Sequence, residues 1–456
     1  MPQHDTRFRA TIKNLVRSFL QKKEPANVDM TKFVLPVVFL LSVVNPARAE
    51  KIESKLLDFM HELERQQTLT NGFFGLGEEL DDYGIELELG VTRLYQHNAR
   101  GGMSTHRQAG RHSGSYDFEI AADLQKLYGI EGARLFVHTE GRWSQSQSID
   151  GPSVGSAFGV NADSGPRRSA DITELWYEQS MLDGALLLRL GKMDLTGGFE
   201  HSGCPVSFDC SFFANDETSQ FLNGAFVNNP TIPFPDYALG LAGFYGPVKW
   251  WYASAGVVDA QNDARETGFS TTFHDEDYFF YVFETGVTPQ LDSANGLLAG
   301  AYRIGFWNDP QPKTHSDAVR NYRDDVGFYF NCDQALTKEN AEPNDNQGLG
   351  VFFRYGYANG RTNDVTNFWS VGFQYQGLIE GRDDDVLGVG FAQGIFSNGA
   401  SMTYNEDHEN ALELYYDIGF APWMKFSTGL QYIANPGGAK GVSDALVFEM
   451  RTQMFF

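Results

Sequence analysis

The chain has 456 residues and a formal charge of −24, with 42% hydrophobic residues, 14% aromatics, 48 Gly and 3 Cys. No apolar run reaches the ~20 residues a helix needs to cross a bilayer, so a helical membrane protein is excluded. The acidity argues against nucleic acid as a partner, because phosphates call for a basic surface.

In chain order, the first element is a leader. Met30-Thr31-Lys32, an apolar core from Phe33 to Val44 and Ala47-Arg48-Ala49 form a secretory signal with cleavage expected after Ala49. The basic residues 1–29 are either a long n-region or the product of an upstream start. Export implies an oxidising compartment, where Cys204 and Cys210 either close a small loop disulfide or stand as two thiols. Residues 50–82 are expected to form a periplasmic helical segment. Within it Ile52, Leu56, Met60 and Leu63 fall near a 3.6 period, which predicts a short amphipathic helix over 51–67.

From Tyr83 the period becomes two, broken by Gly, Pro, Asn and Asp. Sixteen strands are predicted. The first eight are Tyr83–Tyr95, Ser115–Lys126, Gly132–Trp143, Ile172–Met181, Ala185–Asp194, Tyr237–Tyr245, Lys249–Val258 and Asp277–Val287. The second eight are Gly296–Trp307, Asp325–Cys332, Gly348–Tyr357, Phe368–Leu378, Asp385–Gln393, Asn410–Phe420, Trp423–Tyr432 and Ser443–Phe456. Short links such as Leu182-Asp183-Gly184 and Ala421-Pro422 alternate with long ones such as 144–171 and 195–236. The link 333–347 is too long for a tight turn and falls on the periplasmic side by parity. A mean hydropathy of −0.34 suits strands with one greasy and one wet face. The fold expected is therefore all-β: a 16-stranded antiparallel transmembrane barrel over residues 83–456, with short periplasmic turns, long extracellular loops and a short N-terminal helix.

Parity assigns the faces. Leu87, Phe118 and Phe448 share the apolar set. Inward candidates are Arg134, His138 and Glu140 on strand three, Glu174, Trp176 and Glu178 on strand four, and Arg189 on strand five. Glu119, Asp123, Arg303, Arg354, Glu413, Lys425, Glu449 and Arg451 complete them. Lys192 and Asp194 have the opposite parity unless a bulge intervenes. Trp176 either stacks on a ligand or belongs to the interface girdle of aromatics. The charges either contact solute or brace the wall as a salt-bridge lattice. The segment 195–236, with Phe212, Phe213 and residues 216–220, either folds into the lumen or packs outside.

Several stretches then resemble the carbohydrate-selective porin family of OprB type. They are ELWYEQSMLDGALLLRLGKMDL (174–195), FLNGAFVNNPTIPFPDYALG (221–240), GLGVFFRYGY and LQYIANPGG (430–438). The terminal Phe456 looks like the address read by the barrel-assembly machinery. The resemblance implies an outer-membrane channel in lipid and lipopolysaccharide, passing monosaccharides or short oligosaccharides through a constriction of charged and aromatic side chains. Candidate pore-lining residues are Arg134, Glu140, Glu174, Trp176, Glu178, Arg189, Arg303 and Arg354. No cofactor or metal is expected. Asp383-Asp384-Asp385 lacks calcium-loop spacing and reads as a solvated turn, the His residues lack zinc spacing, and no G-x-S-x-G elbow points to an enzyme. A general or ion-selective porin and a structural or adhesive surface barrel are the competing readings, and monomer or trimer stays open.

Overall fold

The structure, a computed structural model, describes residues 65–143, 148–165, 168–262, 272, 277–314, 319–342, 345–398 and 407–456. The leader and most of the expected helix over 51–67 lie outside the described residues. Sixteen strands run up and down the wall: β1 Ile85–Gly102, β2 Gly110–Asp123, β3 Ala133–Arg142, β4 Arg168–Met181, β5 Leu186–Met193, β6 Ala238–Val248, β7 Trp251–Asp259 and β8 Phe279–Val287. Then follow β9 Gly296–Asp309, β10 Asp325–Ala335, β11 Gly348–Ala358, β12 Val365–Gln376, β13 Val386–Phe396, β14 His408–Ala421, β15 Met424–Ala434 and β16 Ser443–Phe455. Each pairs antiparallel with its neighbours. β1 also pairs with β16, from Gly90↔Phe455 to Gly102↔Ser443, which closes the cylinder.

The departures from the predicted elements have local causes. β2 stops at Asp123 rather than Lys126, because the Asp123 carboxylate accepts from the Gln125 and Lys126 amides and caps a short helix, Leu124–Tyr128. β8 continues as Gln290–Ser293 in unchanged register against β9, interrupted only where Pro289 cannot donate. Two short helices, Asn71–Phe74 and Leu76–Tyr83, precede β1. The chain before them is tied to the barrel by the Leu69 amide, which donates to the Phe455 carbonyl at 2.8 Å. The link 336–347 sits at the short-turn end, where the Asn295 amide of the neighbouring turn donates to the Lys338 carbonyl at 2.8 Å. Asp385, expected in a solvated turn, is buried instead: it takes two hydrogen bonds from Arg382 and one from the Tyr416 hydroxyl.

Strand alternation places apolar side chains outside. Leu190, Leu241, Phe283, Ile304, Phe306 and Leu430 are exposed on the outer wall, while their neighbours Arg189, Glu284, Arg303 and Gln431 are buried inside. The hydrophobic cores lie within the cylinder, where wall residues such as Tyr252, Phe280 and Tyr329 pack on Phe199, Val206 and Phe208 of the third long loop, residues 194–237. A second cluster packs Phe221 and Phe226 of that loop, with Val154 and Val160 of the second long loop, against Phe352, Phe368 and Tyr415.

Candidate functional site: a loop-lined passage

The third loop enters the barrel because the wall supplies partners for its backbone. A short hairpin, Phe199–His201 with Cys204–Val206, carries the chain inward. Ser207, Phe208 and Asp209 follow with φ of 80, 57 and 70°, three successive left-handed residues that are not glycine. Such a turn costs energy and aims its amides to one side, forming an anion nest. Glu284 fills that nest: it accepts from the Ser207 amide at 2.8 Å and the Asp209 amide at 3.4 Å, and from the hydroxyls of Tyr252 and Tyr329. Farther along, Glu413 accepts from the Leu222 and Asn223 amides at 2.7 and 2.8 Å.

Arginines do the converse for the loop carbonyls. Arg303 donates to the carbonyls of Cys210 and Pro205 and to Asp333. Arg354 donates to the carbonyls of Phe226 and Asp209, and Arg451 to those of Glu217 and Gln220. Inward glycines leave sockets for the loop's rings. A Cβ on Gly390 would lie 2.7 Å from the Phe226 ring and 2.9 Å from that of Phe221. The two loop thiols are not joined: Cys204 Sγ faces the Gly300 carbonyl and Cys210 Sγ the Thr196 carbonyl.

What the loop leaves open is a cavity of about 700 Å³ bounded by the β2–β5 wall and, across the lumen, by residues of β9–β16 and their short turns. Its wall side carries Asp117, Glu119, His138, Glu140, Glu174, Trp176 and Arg189, and its loop side Phe212 to Gln220. Phe212, 38% exposed, presents a free ring surface there.

The eight candidate residues divide by position. Glu140, Glu174, Trp176 and Arg189 line the cavity. Arg134 and Glu178 stand in register on β3 and β4, and Glu178 in turn faces Arg189 on β5. Arg189 is held by Glu178 at 2.9 Å and by the Gly198 carbonyl at 3.1 Å. Its guanidinium lies 4.1 Å from the centroid of Trp176 and 4.6 Å from that of Phe199. Phe136 stacks on Trp176 at 4.8 Å, and the indole N–H donates to Glu174. Neighbours thus cover both indole faces, and Trp176 is 3% exposed. A ring so sandwiched offers no face to a ligand and lies inside the lumen rather than in the girdle.

Arg303 and Arg354 lie across the lumen under the loop, each at most 1% exposed. Lys192, on the outward parity, is buried and donates to the Ile172 carbonyl at 2.8 Å. The irregularity in this region falls in β4, where the pairing slips between His138 and Thr139. Glu284 and Asp163 were not among the candidates, whereas Phe212 was named with the loop expected either to enter the lumen or to pack outside. The available signal for Glu284 was a lone carboxylate at inward parity in FFYVFETGV.

The family model for carbohydrate-selective porins, OprB family, matches residues 107–456. The chain belongs to this family. As an OprB-family porin it is an integral β-barrel of the bacterial outer membrane and a passive, carbohydrate-selective channel that does no covalent chemistry. Similar proteins include Porin B of Pseudomonas aeruginosa, 24% identical over 418 residues that cover 84% of this chain and 90% of the relative. The putative porin QuiX of Acinetobacter baylyi is 23% identical over 429 residues, 86% of this chain and 93% of the relative. Among solved structures, the high-pH structure of Pseudomonas putida OprB superimposes with a TM-score of 0.74 at 22% identity. It covers 86% of this porin and 99% of that chain.

Proposed function

We propose that a monosaccharide or short oligosaccharide crosses this porin between the β2–β5 wall and the Phe212–Gln220 stretch of the third loop. Its hydroxyls exchange hydrogen bonds with Glu140, Glu174 and the edge of Arg189, while a C–H face slides over the ring of Phe212. Fork-shaped guanidinium and carboxylate groups suit vicinal hydroxyls. Glu178 and Trp176 hold Arg189 in place, Arg134 lies over the Phe136 and Trp176 rings beside them, and Arg303 and Arg354 hold the loop that narrows the route. The observation that carries this reading is the loop-lined cavity in which exposed Phe212 and polar wall groups meet. Contacts stay few, because a tightly held sugar would block the channel.

Outer-membrane lipid and lipopolysaccharide are the proposed surroundings of the apolar wall, and the assembly machinery the proposed reader of Phe456. Residues 1–49 are the proposed leader and 50–82 a periplasmic segment, so amino-terminal sequencing of the exported protein should begin at Glu50. The function itself is tested by swelling of liposomes that contain the purified porin. Monosaccharides should enter quickly, and rates should fall steeply as sugars lengthen. Absence of swelling with any monosaccharide contradicts the proposal.

A further inference from the structure

We propose that the passage is a charge filter that favours amine-bearing, cationic sugars over neutral ones and turns away anionic sugars such as sugar acids. This deepens the reading above and rests on the same route. The cavity lining holds twelve Asp and Glu side chains, while its Lys and Arg members among the described residues are Arg189, Lys338 and Lys425. Pairing does not erase the excess. Arg142 meets Glu140, His138 meets Asp117, Arg303 meets Asp333, and Lys425 meets Asp417.

Two carboxylates are left wanting a donor. Asp163, carried on the second loop and 5% exposed, lines the cavity with an Oδ2 that has no hydrogen-bond partner. Glu119 on β2 also lines it, with a buried Oε2 in the same condition. A buried acceptor without a partner is costly, and an ammonium or hydroxyl passing through would supply the missing donor. Around Asp163, the Ser115 hydroxyl of β2 faces the carboxyl as a donor, Asp117 of β2 and Glu217 of the third loop add negative field, and Arg142 of β3 is the nearby cation. Burial holds the Asp163 carboxyl well above the usual range, so it gains its charge when a cation comes beside it to offset the desolvation. A cleft lined with one sign of charge between low-dielectric walls concentrates counter-ions and repels co-ions.

The test uses the full porin in planar bilayers under a potassium chloride gradient, together with liposome swelling. The reversal potential should report a cation over anion permeability ratio of about tenfold or more, the low end of such focusing. Glucosamine at a pH where its amine is charged should enter faster than glucose, and glucuronate slowest. Asp163→Asn combined with Glu119→Gln should lower the permeability ratio severalfold. Should that variant fail to assemble, acidifying the wild-type bilayer must erase the preference as the carboxylates of the lining are neutralised. A reversal potential near zero, equal entry of the three sugars, or a preference that survives acid overturns the filter. If glucose itself does not enter, the sugar route fails instead, which keeps the two failures distinct.

Discussion

Replacing Glu284 with Ala should release the Ser207–Asp209 turn of the third loop from the barrel wall while leaving the wall intact. The carboxylate accepts two loop amides and two tyrosine hydroxyls, all buried. Hydrogen bonds to a charged group are worth about 1.5–3 kcal/mol each, so four of them hold about 6–12 kcal/mol if nothing replaces them. Water entering the vacated space can serve roughly half of the donors, which leaves about 3–6 kcal/mol. The turn has its own reason to relax, since each left-handed residue from Ser207 to Asp209 stores about 1–3 kcal/mol. Native-state hydrogen exchange of residues 205–212 reads the result directly. A local loss of 3 kcal/mol corresponds to exchange faster by more than about a hundredfold, with the β-strand amides unchanged. Glu284→Gln, which keeps one acceptor oxygen, should fall between. Unchanged exchange in the Ala variant would refute the idea that this carboxylate holds the loop.

Other expectations concern the loop's seat and its thiols. Gly390→Ala should cost about 1–3 kcal/mol as overpacking of the Phe221–Phe226 socket, detected as faster proteolysis within 216–228, whereas alanine at the outer-face Val371 should not affect that segment. Cys204 and Cys210 should stay as thiols: burial pushes the Cys204 thiol up to about 12 and leaves it 4% exposed. Iodoacetamide should therefore label neither until the porin is unfolded, and the unreduced mass should match three free thiols. A mass lighter by two hydrogens would contradict this.

The strand plan is legible in the sequence because its signal is local. Each strand of the wall alternates over a few residues, and Gly, Pro and Asp mark the ends, so the sixteen segments overlap the sixteen observed strands. Ends were displaced where a capping side chain such as Asp123 competes with pairing. The interior was far less legible, because the partners that draw the third loop inward are remote in the chain. Leu222 finds Glu413 across 191 residues, and Ser211 finds Asp333 across 122. Parity can say that Arg303 and Arg354 face inward, but not that loop carbonyls will meet them there. It likewise sets Trp176 on the inner wall without revealing that Arg189 and Phe136 cover its two faces. Phe212 shows no periodicity at all; its exposure follows from where the loop comes to rest.

The central claim is that the third loop, folded inside the barrel, makes the surface over which a sugar passes. It is tested most directly by recording single-channel potassium current while glucose is titrated, in the wild-type porin and in a variant with residues 211–220 excised. The wild-type current should fall reversibly as sugar occupies the passage, and the excised channel should conduct more and ignore glucose. Equal block of both channels would place the sugar's route elsewhere and contradict the account.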